Sequence, residues 1–346
     1  MEVPLVSVCI PNYNYGQYLT NCFESVLNQT YQNIEVIFRD NASTDNSMEI
    51  AYEYKKKFEE KGIYFSLYRN KRNVGSDTNS NNCILASEGK YTYVLASDDA
   101  IAPQFIEKCV EVFEKYPSVG MVMTHRCEMD DDGKLYEDTP FYNKSCVIPG
   151  DEQAAVFMMA GIAIPGQRMM KRGAGIQLQQ YNAQYQVAGD WFANFKFACT
   201  NDIAYIKEPL CYYRVHFGNE TSESEFNMMG VFEHYKLINH FYEIARAFDI
   251  QKAMNRYEAA VKKLGSMCLR YTGTMIKNHK LDTAKRYLNL ALVFDESLAT
   301  DEKYIRLLQI VKLSPQEAKE AFLAENFESK RVISYDPPEG YVEIEE

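Results

Sequence analysis

Tyr91-Thr-Tyr-Val-Leu-Ala-Ser-Asp-Asp99 is a short, β-prone apolar run that stops on two adjacent carboxylates, Asp98 and Asp99. Burying such a pair without neutralisation costs several kcal/mol, so at a strand end it belongs in water or against a cation. In an open α/β sheet, ligands collect at the C-terminal ends of the strands. A second run, Ile34-Glu-Val-Ile-Phe-Arg39, also ends on a carboxylate, Asp40. Either acidic end alone reads equally well as a loop cap. Together they point to a site that holds a cation and something anionic.

Working outward, strands and helices alternate from Leu5 to about Met123. Leu5-Val-Ser-Val-Cys-Ile10 is a nearly continuous apolar run of strand length, as expected for a strand covered on both faces. Pro11-Asn-Tyr-Asn-Tyr-Gly16 breaks it, and Leu19, Phe23, Val26 and Leu27 then recur at helical spacing. After Ile34–Arg39 the sequence predicts a turn with Ser43 or Thr44 as N-cap, and a helix through Ile50, Tyr54 and Phe58 that stops at Gly62. Ile63–Tyr68 alternates like a strand, a polar loop surrounds Asn73-Val-Gly75, and a helix passes through Asn82 and Leu85. The carboxylate-tipped strand Tyr91–Ser97 follows, then a helix begun by Pro103 and a strand over Val119–Met123. This β-α-β-α-β order predicts a mainly parallel sheet with right-handed crossovers.

From Thr124 to Gly189 the pattern weakens. Glu128-Met-Asp-Asp-Asp-Gly133 reads as a polar hairpin turn with Asp-Gly at its tip in preference to a metal loop. Ala188-Gly-Asp-Trp-Phe192 opens a helix, Ile203–Ile206 is a short strand, and Glu208–His216 is extended. Past a polar stretch the apolar spacing is helical throughout. One face carries Phe232, Tyr235, Ile238, Phe241 and Tyr242; a second carries Tyr257, Val261, Leu264, Cys268 and Tyr271; a third carries Leu281, Ala284, Leu288 and Leu292. Ser314-Pro-Gln-Glu317 is a helix start with N-cap, Pro at N1 and Glu at N3. The sequence thus predicts residues 1–221 as an α/β domain and 222–346 as a helical C-terminal domain, with a loose tail from Tyr335.

The bulk composition narrows the function. The chain has 346 residues, 46% hydrophobic and 25% charged, which suffices for more than one core. A net charge of −11 argues against a nucleic-acid binder, which needs a basic face. No apolar run approaches the ~20 residues that span a bilayer, and Met1-Glu-Val-Pro lacks the basic start of a signal peptide. Nine cysteines without a Cys-x-x-Cys pair, Cys9, Cys22, Cys83 and Cys109 among them, read as core residues in a reducing compartment. The expected location is cytoplasmic. Peripheral membrane association and homo-oligomerisation stay open.

Ordered motifs from Val6 to His216 resemble the family-2 glycosyltransferases, inverting enzymes with a Rossmann-like GT-A fold, over about two-thirds of the chain. Val6-Ser-Val-Cys-Ile-Pro-Asn-Tyr-Asn14 is similar to that family's first strand and nucleotide loop. Val36-Ile-Phe-Arg-Asp-Asn-Ala-Ser-Thr-Asp45 is similar to its strand ending in Asp-Asp-Gly-Ser-x-Asp, and Asn73-Val-Gly75 with Asn81 to its Asn-x-Gly and later Asn. Leu95-Ala-Ser-Asp-Asp99 falls where the family has Leu-Asp-x-Asp-Asp. Ala188-Gly-Asp190 is similar to its late acidic motif, and Tyr213-Arg-Val-His216 to its Tyr-Arg-x-His.

The resemblance implies roles for these residues. Pro11, Asn12, Tyr13, Asn14, Asp40, Asn73, Gly75, Asn81 and Ser97 would bind the nucleotide. Tyr13 would stack on a uracil-like base and Asp40 would accept from its N3–H. Asp98 and His216 would hold Mn²⁺ or Mg²⁺, hard cations suited to such ligands. Asp99, Arg214 and Trp191 would touch donor phosphate or acceptor. Asp190 matches the general base; its local alternative is a helix N-cap before Trp191. The implied activity is metal-dependent transfer of a sugar from a nucleotide-sugar donor, a UDP-sugar first, to a hydroxyl of a glycan, glycolipid or glycoprotein. Three departures stand out: Ala96 for the first aspartate, Asn41-Ala42 for Asp-Gly, and Gly189 for the frequent Glu. Ala96 and the helical tail also suit a non-catalytic nucleotide-sugar-binding scaffold subunit. A nucleotidyltransferase is disfavoured because Pro11–Gly16 has no Lys or Arg, and a dinucleotide oxidoreductase because no Gly-x-Gly-x-x-Gly follows the first strand.

Overall fold

The computed structural model describes residues 3–174, 185, 188–216, 226–325, 327 and 333–345. The first strand, β1 (Val6–Asn12), is followed by α1 (Gly16–Leu27), β2 (Ile34–Asp40), α2 (Ser47–Glu60), β3 (Tyr64–Arg69) and α3 (Ser76–Leu85). Next come β4 (Tyr91–Val94), β5 (Ala100–Ile101), α4 (Phe105–Lys115), β6 (Val119–Met129), β7 (Leu135–Glu137), β8 (Cys146–Ile148) and α5 (Gly150–Met159). A 3₁₀ turn at Pro165–Gln167 leads to β9 (Arg168–Lys171), α6 (Gly189–Ala198) and β10 (Asp202–Arg214).

Among the described residues the sheet has 11 strands and, with β11 (Val342–Glu343) near the C-terminus, runs β11-β8-β10-β6-β9-β4-β1-β2-β3, with β5 beside β10 and β7 beside β6. β3, β2, β1 and β4 are parallel, as are β6 and β10; β9 lies antiparallel between the two blocks. The expected mainly parallel α/β sheet is therefore present, but β5, β7, β8 and β9 run against it, and the apolar pattern did not reveal the reversed β9 at its centre. β9 is only Arg-Met-Met-Lys, too short for a periodic signal. The two extended pieces expected at Ile203–Ile206 and Glu208–His216 are one strand, β10. Its register slips on both sides of Pro209, which has no N–H to give the ladder.

Side-chain alternation divides the core. Val8 and Ile10 join Phe23, Phe38, Phe58, Phe65 and Phe105 on the face covered by α1, α2 and α4. Cys9, Ile37, Val94 and Met121 face the other way, onto Phe157 of α5 and Phe195 of α6. Eight of the nine cysteines, including Cys9, Cys22, Cys83 and Cys109, are buried as thiols.

The helical part comprises α7 (Met229–Ala247), the short α8 (Gln251–Met254), α9 (Tyr257–Lys277), α10 (Leu281–Phe294), α11 (Glu302–Ile310) and α12 (Pro315–Ala324). The proposed boundary at Ser222 lies outside the described residues. Phe241 of α7 and Leu264 of α9 pack into the same core as Met121 and Ile203 of the sheet. A separate cluster joins α9 to α10, α11 and α12 through Met275, Tyr287, Leu307 and Phe322. Phe232 and Tyr235 are exposed, at 49% and 41%, so the inward stripe of α7 is Leu237, Ile238, Phe241 and Ala245.

Three further expectations are corrected. The α2 cap is Asn46; Ser43 and Thr44 instead bond to the β1 loop. β4 ends at Val94, and Ala96–Asp99 is a turn closed by the Asp99 amide donating to the Ala96 carbonyl at 3.1 Å. The tail from Tyr335 is not loose: Tyr335 bridges Tyr142, and β11 (Val342–Glu343) pairs antiparallel with β8. By contrast, the Ser314 start appears as expected, with the Glu317 carboxylate accepting from the Ser314 amide and hydroxyl at 3.1 and 2.6 Å. The Asp-Gly hairpin is also present between β6 and β7, with Gly133 at φ 83.

Candidate active site

β1 and β2 end side by side, with Asn12 opposite Asp40. Asp40 has no exposed surface. Its Oδ1 accepts from Asn12 Nδ2 at 3.0 Å and its Oδ2 from the Ser43 amide at 2.9 Å, with Arg69 Nε 3.5 Å away. Ser43 Oγ in turn accepts from the Asn14 amide at 2.9 Å, while Asn14 Oδ1 accepts from the Thr44 amide at 2.8 Å. Asn14 has φ 55, a left-handed conformation that Asn tolerates better than most residues. The carboxylate therefore lies under the loop. It fixes Pro11–Asn14, leaving the Tyr13 ring 45% exposed.

Behind this loop runs a ladder of amides. Asn41 Nδ2 donates to Asn73 Oδ1 at 2.8 Å, and Asn41 Oδ1 accepts from Asn70 Nδ2 and the Val74 amide, each at 2.9 Å. Asn70 also donates to Asn79 Oδ1, and Asn79 to the Arg39 carbonyl. Asn41, which departs from the family's Asp-Gly, is thus the hub that holds Asn73. Asn73 Oδ1 accepts from the Gly75 amide at 2.8 Å, and Gly75 takes φ 87, where a side chain would be strained. Asn81 lies half-buried on α3.

In the acidic turn, Asp98 Oδ2 lies 3.1 Å from His216 Nε2, a pairing of residues 118 apart in sequence. Their side chains are 13% and 6% exposed, and the rings of Tyr15 and Tyr18 lie 5.4 and 5.2 Å from the imidazole. Ser97 is buried, and its hydroxyl has no hydrogen-bond partner among the described residues.

Two further residues at this turn are buried. Arg214 is only 3% exposed and its donors are spent inside the protein. Nε donates to the Asp98 carbonyl at 2.8 Å, Nη1 to the carbonyls of Asp130 and Asp131, and Nη2 to Asn21 Oδ1 at 3.0 Å. It pins the acidic turn to the β6–β7 hairpin. Asp99 is 2% exposed, and its Oδ1 accepts from the Arg214 amide at 2.8 Å. Burial, then the adjacent Asp98, push its pKa well above the usual carboxylate range. Asp99 braces the start of the Tyr213–His216 segment against the acidic turn.

Asp190 is the second residue of α6, so the cap position belongs to Ala188. Its Oδ1 accepts from the Trp191 amide at 2.6 Å. Burial raises its pKa, opposed chiefly by Arg168. Arg168 is wholly buried and donates to the Asp190 carbonyl at 2.8 Å and to Asn194 Oδ1. A side chain at position 189 would begin 3.1 Å from Asp77 Oδ2, so Gly189 lets the first turn of α3 approach the Asp190 helix closely. Trp191 is half-buried, its Nε1 donating to the Phe157 carbonyl at 2.6 Å and its ring 5.3 Å from His234.

These pieces meet. Tyr213, under the ring-stacked Arg126, has its pKa raised by burial and then by Asp99, with Asp98 and Asp190 adding to the effect. Residues from the acidic turn and from α6 therefore act on one phenol. The Asn73–Gly75 loop and Asp77 carry the contact on to the Asp40 loop. Arg168, Asp77 and His234 escaped the sequence reading because a lone Arg, Asp or His at unrelated positions has no local pattern. Among the described residues no group of three or more His, Cys, Asp or Glu could hold a metal ion by itself. Asp98 and His216 would offer one oxygen and one nitrogen donor to a divalent ion, a set compatible with Mn²⁺ or Mg²⁺.

A mainly parallel sheet with this acidic turn and helical tail defines the GT-A class of fold. Structures of that kind superpose on this chain. The 1–349 portion of TarS from S. aureus in complex with UDP has a TM-score of 0.54 at 15% identity, covering 95% of this chain and 94% of that one. The mannosyltransferase PcManGT from Pyrobaculum calidifontis, in complex with GDP-Man and Mn²⁺, gives 0.52 at 16% identity, covering 94% and 88%. Residues 7–177 match the family model Glycosyl transferase family 2, and the chain belongs to that family. It is similar to the chondroitin synthase of Escherichia coli, at 28% identity over 280 residues, and to the hyaluronan synthase of Pasteurella multocida, at 28% over 228. The matches cover 80% and 64% of this chain but only 37% and 21% of those longer proteins. Among the described residues, no helix is long and apolar enough to cross a membrane.

Proposed function

We propose that the chain is a metal-dependent inverting glycosyltransferase that moves a sugar from a nucleotide-sugar donor, a UDP-sugar first, to a hydroxyl of a growing glycan. The observation that carries this reading is the Asp98–His216 pair at 3.1 Å, beside strand ends that also carry the Asn12–Asp40 loop. Asp98 and His216 would hold Mn²⁺ or Mg²⁺, whose charge offsets that gained by the departing diphosphate. Tyr13 stacks on the base, and Asp40 acts through Asn12 and Ser43 by keeping the loop in shape. Asn73, Gly75, Asn81 and Ser97 border the ribose and sugar.

The chemical step is an in-line displacement. The anomeric carbon–oxygen bond to the diphosphate breaks with its electron pair leaving on the phosphate oxygen. The acceptor oxygen bonds to the opposite face of the anomeric carbon and gives its proton to Asp190. Because Oδ1 is held by the Trp191 amide, Oδ2 is the oxygen left for that proton. Arg168 keeps the buried carboxylate ionised, and Trp191 shields it from water. In this scheme residues 1–221 carry the donor chemistry and the helices of 222–346 flank the acceptor side. Buried thiols support a reducing, cytoplasmic setting.

The test is donor hydrolysis and transfer across a panel of nucleotide sugars with Mn²⁺ or with EDTA. Turnover of at least one donor that EDTA abolishes is expected; neither binding nor turnover of any donor ends the proposal.

A further inference from the structure

An open cavity of about 320 Å³ adjoins the α6 turn. Asp190 and Trp191 form one wall, the Gly161 loop another, and His234 of α7 with Lys263 and Arg270 of α9 the remainder. A Cβ at position 161 would fall 3.0 Å from the indole carbons, so the loop lies flat on Trp191 and leaves the opening to the helices. Among the described lining residues Asp190 is the one acid.

Lys263 and Arg270 stand two turns apart on α9. Lys263 Nζ donates to the Met159 carbonyl at 2.9 Å, and the Arg270 guanidinium lies 5.1 Å from the Tyr271 ring centre. Among the described residues neither meets a carboxylate. The two act on one another: burial and then Arg270 lower the Lys263 pKa, and Arg270 also acts on His234, whose pKa burial lowers. In a chain of net charge −11, two cations on one cavity wall that meet no carboxylate among the described residues, facing Asp190 as the one acid of the described lining, make a favourable place for an anion.

We infer that this cavity is the acceptor subsite and that Lys263 and Arg270 select a glycan bearing an anionic group, a uronate carboxylate or a phosphodiester. The inference rests on the reading of Asp190 as the base. The helical region then acts in catalysis by sorting acceptors: the anionic group pairs with α9 while a hydroxyl elsewhere on the acceptor reaches Asp190. Arginine suits either anion, because its planar fork matches both carboxylate and phosphate.

The experiment is calorimetric titration of the full chain, with and without UDP and Mn²⁺. Three probes separate the sources: a glucuronate-containing tetrasaccharide, its carboxyl-reduced counterpart, and a polyol-phosphate oligomer. One acidic probe is expected to bind at least about tenfold tighter than the neutral one. Arg270→Glu should remove that preference, Arg270→Lys should restore part of it, and both should keep parental UDP affinity and melting temperature. Whichever acidic probe binds identifies the anion. Equal binding of acidic and neutral probes, no binding of either acidic probe at millimolar concentration, or an unchanged preference in Arg270→Glu overturns the inference. Failure of the parent to bind UDP would instead count against the donor reading, and the probe arms without UDP still decide this one.

Discussion

Asp190 sits where two opposing effects meet. Burial lifts its pKa and Arg168 holds it down. A general base contributes roughly 10²–10⁴-fold to turnover, so Asp190→Asn should lower kcat by that order while leaving the donor Kd unchanged. The raised pKa also fixes a sign. A carboxyl that holds its proton more tightly when folded weakens the fold as pH rises through its range, and above that range the cost is constant. At neutral pH Asp190→Asn should therefore keep or raise the melting temperature while lowering kcat, and the acidic limb of the parent kcat profile should lie above the ordinary carboxylate range. A loss of both stability and donor binding would assign Asp190 a structural role. At this scale the sequence named Asp98, His216 and Asp190 because their motifs are local. It did not show that Asp40, Asp99 and Arg214 are buried and bonded to backbone groups, since a local motif carries no record of the partners an ionic side chain meets in the fold. Arg168 had no signal at all, being a single cation in a four-residue strand.

At the scale of elements, the tail is the clearest departure from expectation. Pro337-Pro338 and a run of glutamates look like a solvated end, yet β11 covers the edge of β8. The Ile344 amide donates to the Ser145 carbonyl at 2.9 Å, and Lys144 pairs with Glu343 at 2.9 Å. Exposed ion pairs contribute at most about 1 kcal/mol, so backbone pairing and the Tyr335 contact to Phe141 carry most of the docking. Deleting residues 334–346 should lower stability by about 1–3 kcal/mol, read as a lower urea midpoint, because an unpaired β8 edge is left behind. An unchanged midpoint would show that the strand contributes nothing in solution. The βαβ elements were legible because each carries many periodic residues. The tail was not, because two-residue pairing depends on a partner strand nearly two hundred residues away.

For the whole molecule, the helices and the sheet share a core. Phe195 of α6 and Phe241 of α7 stack with ring centres 4.0 Å apart, and Phe241 also meets Trp191 at 5.8 Å. Phe241→Ala should cost about 3–5 kcal/mol and lower the single unfolding transition of sheet and helices together. Two separate transitions, with only the helical one shifted, would make the C-terminal region an independent unit. That two-part organisation was readable from the change in periodicity, whereas the shared core was not, because periodicity gives the buried stripe of a helix and not its partner. The account as a whole requires donor, metal ligands and base to converge on one cleft. Crystals of the full chain soaked with UDP and Mn²⁺ test this most directly through the anomalous signal of the ion. The account predicts manganese bonded to Asp98 and His216, with the UDP base against Tyr13 and the open side of the diphosphate toward Asp190. An ion bound elsewhere, or UDP on a face that does not include Tyr13 and Asp98, would contradict it.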